Sequence, residues 1–104
     1  MTKRVLQLRH ERTESYLGRR RGFPLLKEEI WRDGSGVVVK YSVAYIDPTV
    51  FAEDNGRVLG YDNAHGYHHR HYRGVESEYG FTNYAAIVRR FKREAKKLWE
   101  GGDL

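Results

Sequence analysis

The chain reads as an α+β domain, an antiparallel meander sheet of four to six strands with one C-terminal amphipathic helix packed on one face. Three observations carry that expectation. Residues 25 to 47 form two strand-like runs around the turn cluster Asp33-Gly34-Ser35-Gly36. Arg57 to Asp62 resumes a period-2 pattern after a polar return, and from Asn83 to Trp99 apolar residues recur at helical spacing before Gly101. At 104 residues the chain is expected to be one domain. Its parts are a basic N-terminal strand and loop (1–24), the sheet (25–82) and the helix (83–99).

Val5-Leu6-Gln7-Leu8-Arg9 is expected as a short edge strand. Arg9 to Arg21 carries five arginines against Glu11 and Glu14, and with Gly18, Gly22 and Pro24 nearby it reads as a basic loop. Such a run is either solvated or an arm that contacts phosphates without reading sequence. In the strand after Gly36, Val37, Val39, Tyr41, Val43 and Tyr45 share one bulky face suited to the core. Val38, Lys40, Ser42, Ala44 and Ile46 share the other, which is either a shallow groove with Lys40 available to a phosphate or a solvated face.

Asp47-Pro48 ends that strand, and Glu53-Asp54-Asn55-Gly56 leads into the next, where Leu59 and Tyr61 point one way and Val58, Gly60 and Asp62 the other. Asp62 then shares a face with Lys40 and Ser42. A loop from Asn63 to Tyr67 returns the chain as a further strand from His68. Parity groups His69, His71 and Arg73 on one face and His68, Arg70 and Tyr72 on the other, and either set can face Asp62. Thr82 is the expected helix N-cap, with Phe81 stapled onto Ala86. The stripe Ile87, Val88, Phe91, Ala95, Leu98 and Trp99 matches the bulky sheet face, and burial of Phe91 alone stabilises by roughly 1.5 to 3 kcal/mol. The other helix face carries six cations, Arg89, Arg90, Lys92, Arg93, Lys96 and Lys97, against Glu94 and Glu100. A solvated face usually mixes its signs, so this one also suits nucleic acid or an acidic partner.

The net charge of +5 and pI near 9.6 favour an anionic partner, RNA or an acidic protein. With no cysteine, disulfides, thiolate catalysis and the usual structural zinc sites are excluded together. No run approaches the ~18 apolar residues of a membrane span, and no apolar signal region follows Met1-Thr2-Lys3-Arg4. The expected compartment is the cytoplasm, with no membrane partner.

The chemistry concentrates in Tyr61-Asp62-Asn63-Ala64-His65-Gly66-Tyr67-His68-His69-Arg70-His71-Tyr72, which holds four of the five histidines. Histidine gives and takes protons near neutral pH and is the commonest metal ligand, so a cluster beside Asp62 and Arg70 reads as a proton-transfer or metal site. A polar turn with idle, solvated rings is the plainer alternative.

The segments Arg57-Val58-Leu59-Gly60-Tyr61-Asp62-Asn63, His69-Arg70-His71 and Tyr79-Gly80-Phe81-Thr82 before a helix resemble the TumE family, toxins of prokaryotic toxin-antitoxin modules. Tyr61, Asp62, Asn63, Gly66, His69, Arg70, His71, Tyr79, Phe81 and Thr82 fall on the family pattern. Gly60 stands where an arginine is more usual, the loop around Tyr67 is one residue short, and His68 stands where an acid is common. The resemblance implies growth inhibition through RNA or translation, and a helix-turn-helix antitoxin as partner.

From the residues themselves, the leading expectation is a metal-independent endoribonuclease with no cofactor. His69 and His71 serve as base and acid, Asp62 orients an imidazole, and Arg70 is the cation beside the phosphorane charge. On one strand Arg70 points away from both histidines, so Arg73 or Lys40 is the substitute. Lys40, Tyr61, Asn63, His65, Arg73, Arg89 and Arg93 are the candidate nucleic-acid contacts. The alternative is a non-enzymatic basic module that binds RNA, the ribosome or an acidic antitoxin, its aromatics stacking on bases. A metal site from His65, His69, His71 and Asp62 ranks last, because its spacing matches no standard ligand motif.

Overall fold

A computed structural model describes residues 8–18 and 22–104 of the chain. Within them six strands form one antiparallel sheet in sequence order: β1 (Arg9–Tyr16), β2 (Leu25–Arg32), β3 (Val38–Ile46), β4 (Arg57–Asp62), β5 (His69–Tyr72) and β6 (Val75–Glu78). The helix α1 (Tyr84–Trp99) follows and packs across β3 and β4. The expected α+β meander, with its helix on one face, is therefore the architecture. Tyr41, Val43, Tyr45, Leu59 and Tyr61 from the sheet meet Ile87, Phe91 and Ala95 from α1, and all are buried. The alternation rule assigned these side chains correctly because the middle of a strand keeps strict parity.

Two bulges break that parity, and both matter. Lys40 pairs with Trp31 but Val38 pairs with Arg32, so Val39 is an extra residue in β3. Val38, not Val37 or Val39, consequently packs against the core, while Val37 and Val39 are exposed. On the far side of β3, Tyr45 pairs with Leu59 but Ile46 pairs with Arg57, leaving Val58 extra in β4. Val58 joins the buried core, against the expectation that it shares a face with Asp62. Its carbonyl accepts from the Arg73 N–H at 2.9 Å.

The N-terminal region is also corrected. Arg9 to Tyr16 is a strand paired with β2 along its whole length, not a loop, and Leu8 lies before it outside any strand. The rest of the expected strand at 5–9, residues 5–7, and the arginines at 19–21 lie outside the described residues. Charge favours the strand here because opposite signs meet within it and across to β2. Arg12 pairs with Glu14 and Arg9 with Glu11 at 3.5 Å; Glu11 meets Arg32 at 3.6 Å, and His10 meets Glu29 at 3.0 Å while stacking on Trp31. A charged edge also blocks pairing with other chains.

The helix starts one residue later than expected. Asn83, rather than Thr82, is the N-cap, its side chain accepting from Ala86 N–H at 2.8 Å. Phe81 thereby falls two residues before the cap, and it stacks on His68, ring centroids 3.9 Å apart, rather than stapling the first turn. No helix among the described residues is long and apolar enough to cross a membrane.

Candidate functional site

The sheet has a helix face and an open face, and the register sorts the candidate residues between them. Tyr61 pairs with Arg70 and Leu59 with Tyr72, so these point toward α1. Asp62 pairs with His69 and Gly60 with His71, and across β6 His71 pairs with Glu76. Asp62, His69, His71 and Glu76 therefore share the open face, as do Ser42, opposite Asp62, and Lys40 two residues before it.

Two carboxylate–imidazole pairs stand side by side there, one evenly half-buried and the other with its imidazole buried and its carboxylate exposed. In one, His71 Nε2 lies 3.0 Å from Asp62 Oδ2, the two side chains 15% and 13% exposed. In the other, the Glu76 carboxylate meets His69 Nδ1; His69 is only 3% exposed while Glu76 is 49% exposed. The His69 and His71 rings lie 5.8 Å apart and nearly parallel at 18°. His69 Nε2 donates to the Ala64 carbonyl at 2.9 Å, and the Tyr67 ring packs 3.6 Å from the imidazole. Asp62 is held in turn by the Ala64 N–H on Oδ1 at 3.0 Å. The loop holding Ala64 and Tyr67 thus fixes both pairs.

Arg70 stands apart from them. Its Nη2 donates to Glu94 Oε2 at 2.6 Å and its Nε to the Tyr61 hydroxyl at 3.0 Å, on the helix face. The Tyr61 hydroxyl also donates to Glu94, and burial, followed by that carboxylate, pushes its pKa up to about 12. Arg70, Tyr61 and Glu94 bind β4 and β5 to α1. Tyr61 is fully buried and has no surface to offer a base.

The remaining candidates are scattered. The Asn63 side chain accepts from Tyr41 N–H and donates to the Val39 carbonyl, both at 3.0 Å, so it ties the end of β4 to β3. His65 is exposed in a left-handed turn, and Lys40 lies over the Trp31 ring at 4.7 Å. Lys40, Asn63 and His65 line a groove of about 640 Å³ together with His68. Arg73 is exposed at the β5–β6 turn, and Arg89 and Arg93 are exposed on α1. His68 accepts or donates at Nδ1 with the Tyr41 hydroxyl, 2.8 Å away, and burial pulls its pKa below the usual histidine range.

The family model described as Toxin TumE matches residues 23–98. The chain belongs to the TumE family. Its role is accordingly that of a toxin, and the TumE match takes in both carboxylate–imidazole pairs and all of α1 but Trp99 while leaving β1 outside. No curated protein and no solved structure matches the chain.

Two residues of this TumE open face escaped the sequence reading. Arg57 would lie on the helix face by simple alternation, but the bulge at Val58 turns it to the open face. There its Nη1 comes 3.5 Å from Asp62 Oδ2 and its Nε donates to Asp54 at 2.8 Å. Gly60 makes room for it, since a Cβ on Gly60 would sit 2.7 Å from Arg57 Cδ. Glu76 is brought in by a turn that Arg73-Gly74 does not announce in the sequence. Arg73 and Gly74 both have positive φ, the signature of a two-residue hairpin turn, and that turn places Glu76 opposite His71.

Proposed function

We propose that this TumE-family toxin inhibits growth by cleaving RNA without a metal ion, using the two carboxylate–imidazole pairs of the open face as base and acid. The observation that carries the reading is that the two pairs stand side by side, with the partly exposed His71 on β5 directly opposite the half-exposed Glu76 on β6. His71, aligned by Asp62, takes the proton from a ribose 2′-OH as that oxygen attacks phosphorus. The bond from phosphorus to the 5′-oxygen breaks, and the proton shared by Glu76 and His69 passes to the leaving oxygen. The products are a 2′,3′-cyclic phosphate and a 5′-hydroxyl. In this scheme His69 is a positioning residue behind Glu76. Arg57 replaces Arg70 as the cation beside the developing charge.

The exposed cations of α1 and Lys40 favour an RNA substrate over a smaller phosphodiester, and the α1 face also suits a helix-turn-helix antitoxin with an acidic contact surface. The same basic face supports the rival reading, a non-enzymatic module that binds RNA, the ribosome or the antitoxin. Cleavage of a defined RNA in EDTA separates the two. His71→Ala and Glu76→Gln are each expected to slow cleavage by roughly 10² to 10⁴-fold with the circular dichroism spectrum unchanged. His10→Ala, which touches only the β1–β2 edge, retains the wild-type rate. Full activity in the His71→Ala, Glu76→Gln double variant removes the enzyme and leaves the binding module.

A further inference from the structure

The geometry points to a divalent-metal site of the zinc class formed by His69, His71 and Glu76. One nitrogen of each imidazole and one Glu76 oxygen lie within 4.8 Å of one another. The spacing approaches what a shared ion requires, since donors about 2.1 Å from one tetrahedral centre sit roughly 3.4 Å apart. Glu76 already touches His69 Nδ1, and being half exposed it can rotate back to admit an ion between the donors.

The state of His69 makes this more than a coincidence of side chains. Its Nε2 carries a proton, because it donates to the Ala64 carbonyl. In the neutral ring Nδ1 is then a bare lone pair, and it is buried without a hydrogen-bond partner. It faces the Glu76 carboxylate, another acceptor. Two acceptors directed at each other require a cation between them, a proton or a metal. His71 repeats the arrangement, with Nε2 against Asp62 and Nδ1 left over. A metal-ligating histidine characteristically gives its other ring nitrogen to a carbonyl or a carboxylate, and here one ring has each.

These partners distinguish this site from one drawn on spacing alone, and they change its membership. Asp62 orients a ligand instead of being one, and Glu76 supplies the oxygen in place of His65. Two nitrogens and one oxygen favour zinc, cobalt, nickel or copper over magnesium and calcium, which prefer all-oxygen shells. Three protein donors leave a position open to solvent at the exposed Glu76 end. The ion and the acid–base mechanism compete for the same atoms, since a bound metal takes the His71 and Glu76 lone pairs that would carry protons. The site itself does not rest on the cleavage reading.

Cobalt(II) titration of the full chain tests it, read from visible absorption bands rather than from activity. One equivalent is expected to bind, to be displaced by zinc, and to be unaffected by excess magnesium. Glu76→Gln and His71→Ala each weaken binding by more than about tenfold. Asp62→Asn, which removes the carboxylate behind His71 and leaves the three donors in place, weakens it by about 10- to 100-fold while keeping the band shape. His10→Ala leaves it unchanged. Because His69 is buried and its replacement can unfold the domain, the decision rests on Glu76 and His71, with folding checked by circular dichroism. No saturable band, or equal affinity in the folded His71→Ala, Glu76→Gln double variant, overturns the site. RNA cleavage that survives EDTA and is suppressed by zinc upholds both this site and the acid–base reading. Cleavage that requires zinc upholds the site and replaces that reading.

Discussion

At the scale of single residues, the arrangement around Asp62 depends on a glycine and a bulge. Arg57 reaches Asp62 only because Val58 is extra in β4 and because Gly60 has no side chain beneath the guanidinium arm. Gly60→Ala puts a methyl 2.7 Å from Arg57 Cδ and 3.2 Å from the Val43 carbonyl. The first neighbour is flexible and moves; the second is backbone and gives only slightly. The expected result is a modest loss of stability, about 1 kcal/mol or less, with a larger loss of cleavage as Arg57 leaves Asp62. Denaturant unfolding measured beside cleavage rates checks it, and equal losses in both would make Arg57 merely structural. Here the limit of the sequence is plain. Parity located Asp62, His69 and His71 on a common face or its opposite, but one inserted residue reversed Arg57, and nothing in Arg57-Val58-Leu59 marks where a bulge falls. Arg70 was drawn into the site by its neighbours in the chain, although alternation sends it to Glu94.

At the scale of elements, the helix was the most legible part because a 3.6-residue period over four turns outweighs any local ambiguity. Its first residue was less so, since Thr82 and Asn83 are both good caps and only the backbone path chooses. Asn83→Ala is expected to cost about 1 kcal/mol in denaturant unfolding, and Thr82→Ala a few tenths; the reverse order would restore Thr82 as the cap. The outer face of α1 carries its own expectation. Glu94 is turned inward to Arg70 and Tyr61, which leaves the exposed surface more basic than the composition of the helix implies. If RNA lies along it, the Arg89→Glu, Arg93→Glu double variant binds more weakly, and the slope of log affinity against log salt falls by about 1 for each phosphate that the helix no longer neutralises. An unchanged slope together with weakened antitoxin binding would assign the face to the protein partner. The strand β1 was missed because five arginines in thirteen residues look like a loop until Arg9 and Arg12 are set beside Glu11, Glu14 and, across the register, Glu29.

At the scale of the whole molecule, the sheet divides structure from chemistry. The helix face holds the core and its hydrogen-bonded tyrosines. Burial pushes the Tyr41, Tyr79 and Tyr84 hydroxyls up in pKa, so they stay protonated and donate. His68 stands at the edge of this layer between Tyr41 and Phe81, and burial pulls its pKa below the usual histidine range. A histidine whose folded pKa is depressed contributes stability that is present above its unfolded value near 6.5 and is lost as pH falls through the folded one. Melting temperatures from about pH 7.5 to about pH 5 are therefore expected to fall less steeply in His68→Phe, which keeps the stack on Phe81, than in wild type. Identical slopes would show that His68 titrates freely.

In the proposed cleavage the open face supplies the base and the acid, His71 and the half-exposed Glu76. The pH dependence of RNA cleavage in EDTA tests that most directly. The wild type is expected to give a bell-shaped profile, and His71→Ala to lose one limb of it along with roughly 10² to 10⁴-fold in rate. A profile unchanged in shape and height by His71→Ala would contradict the account.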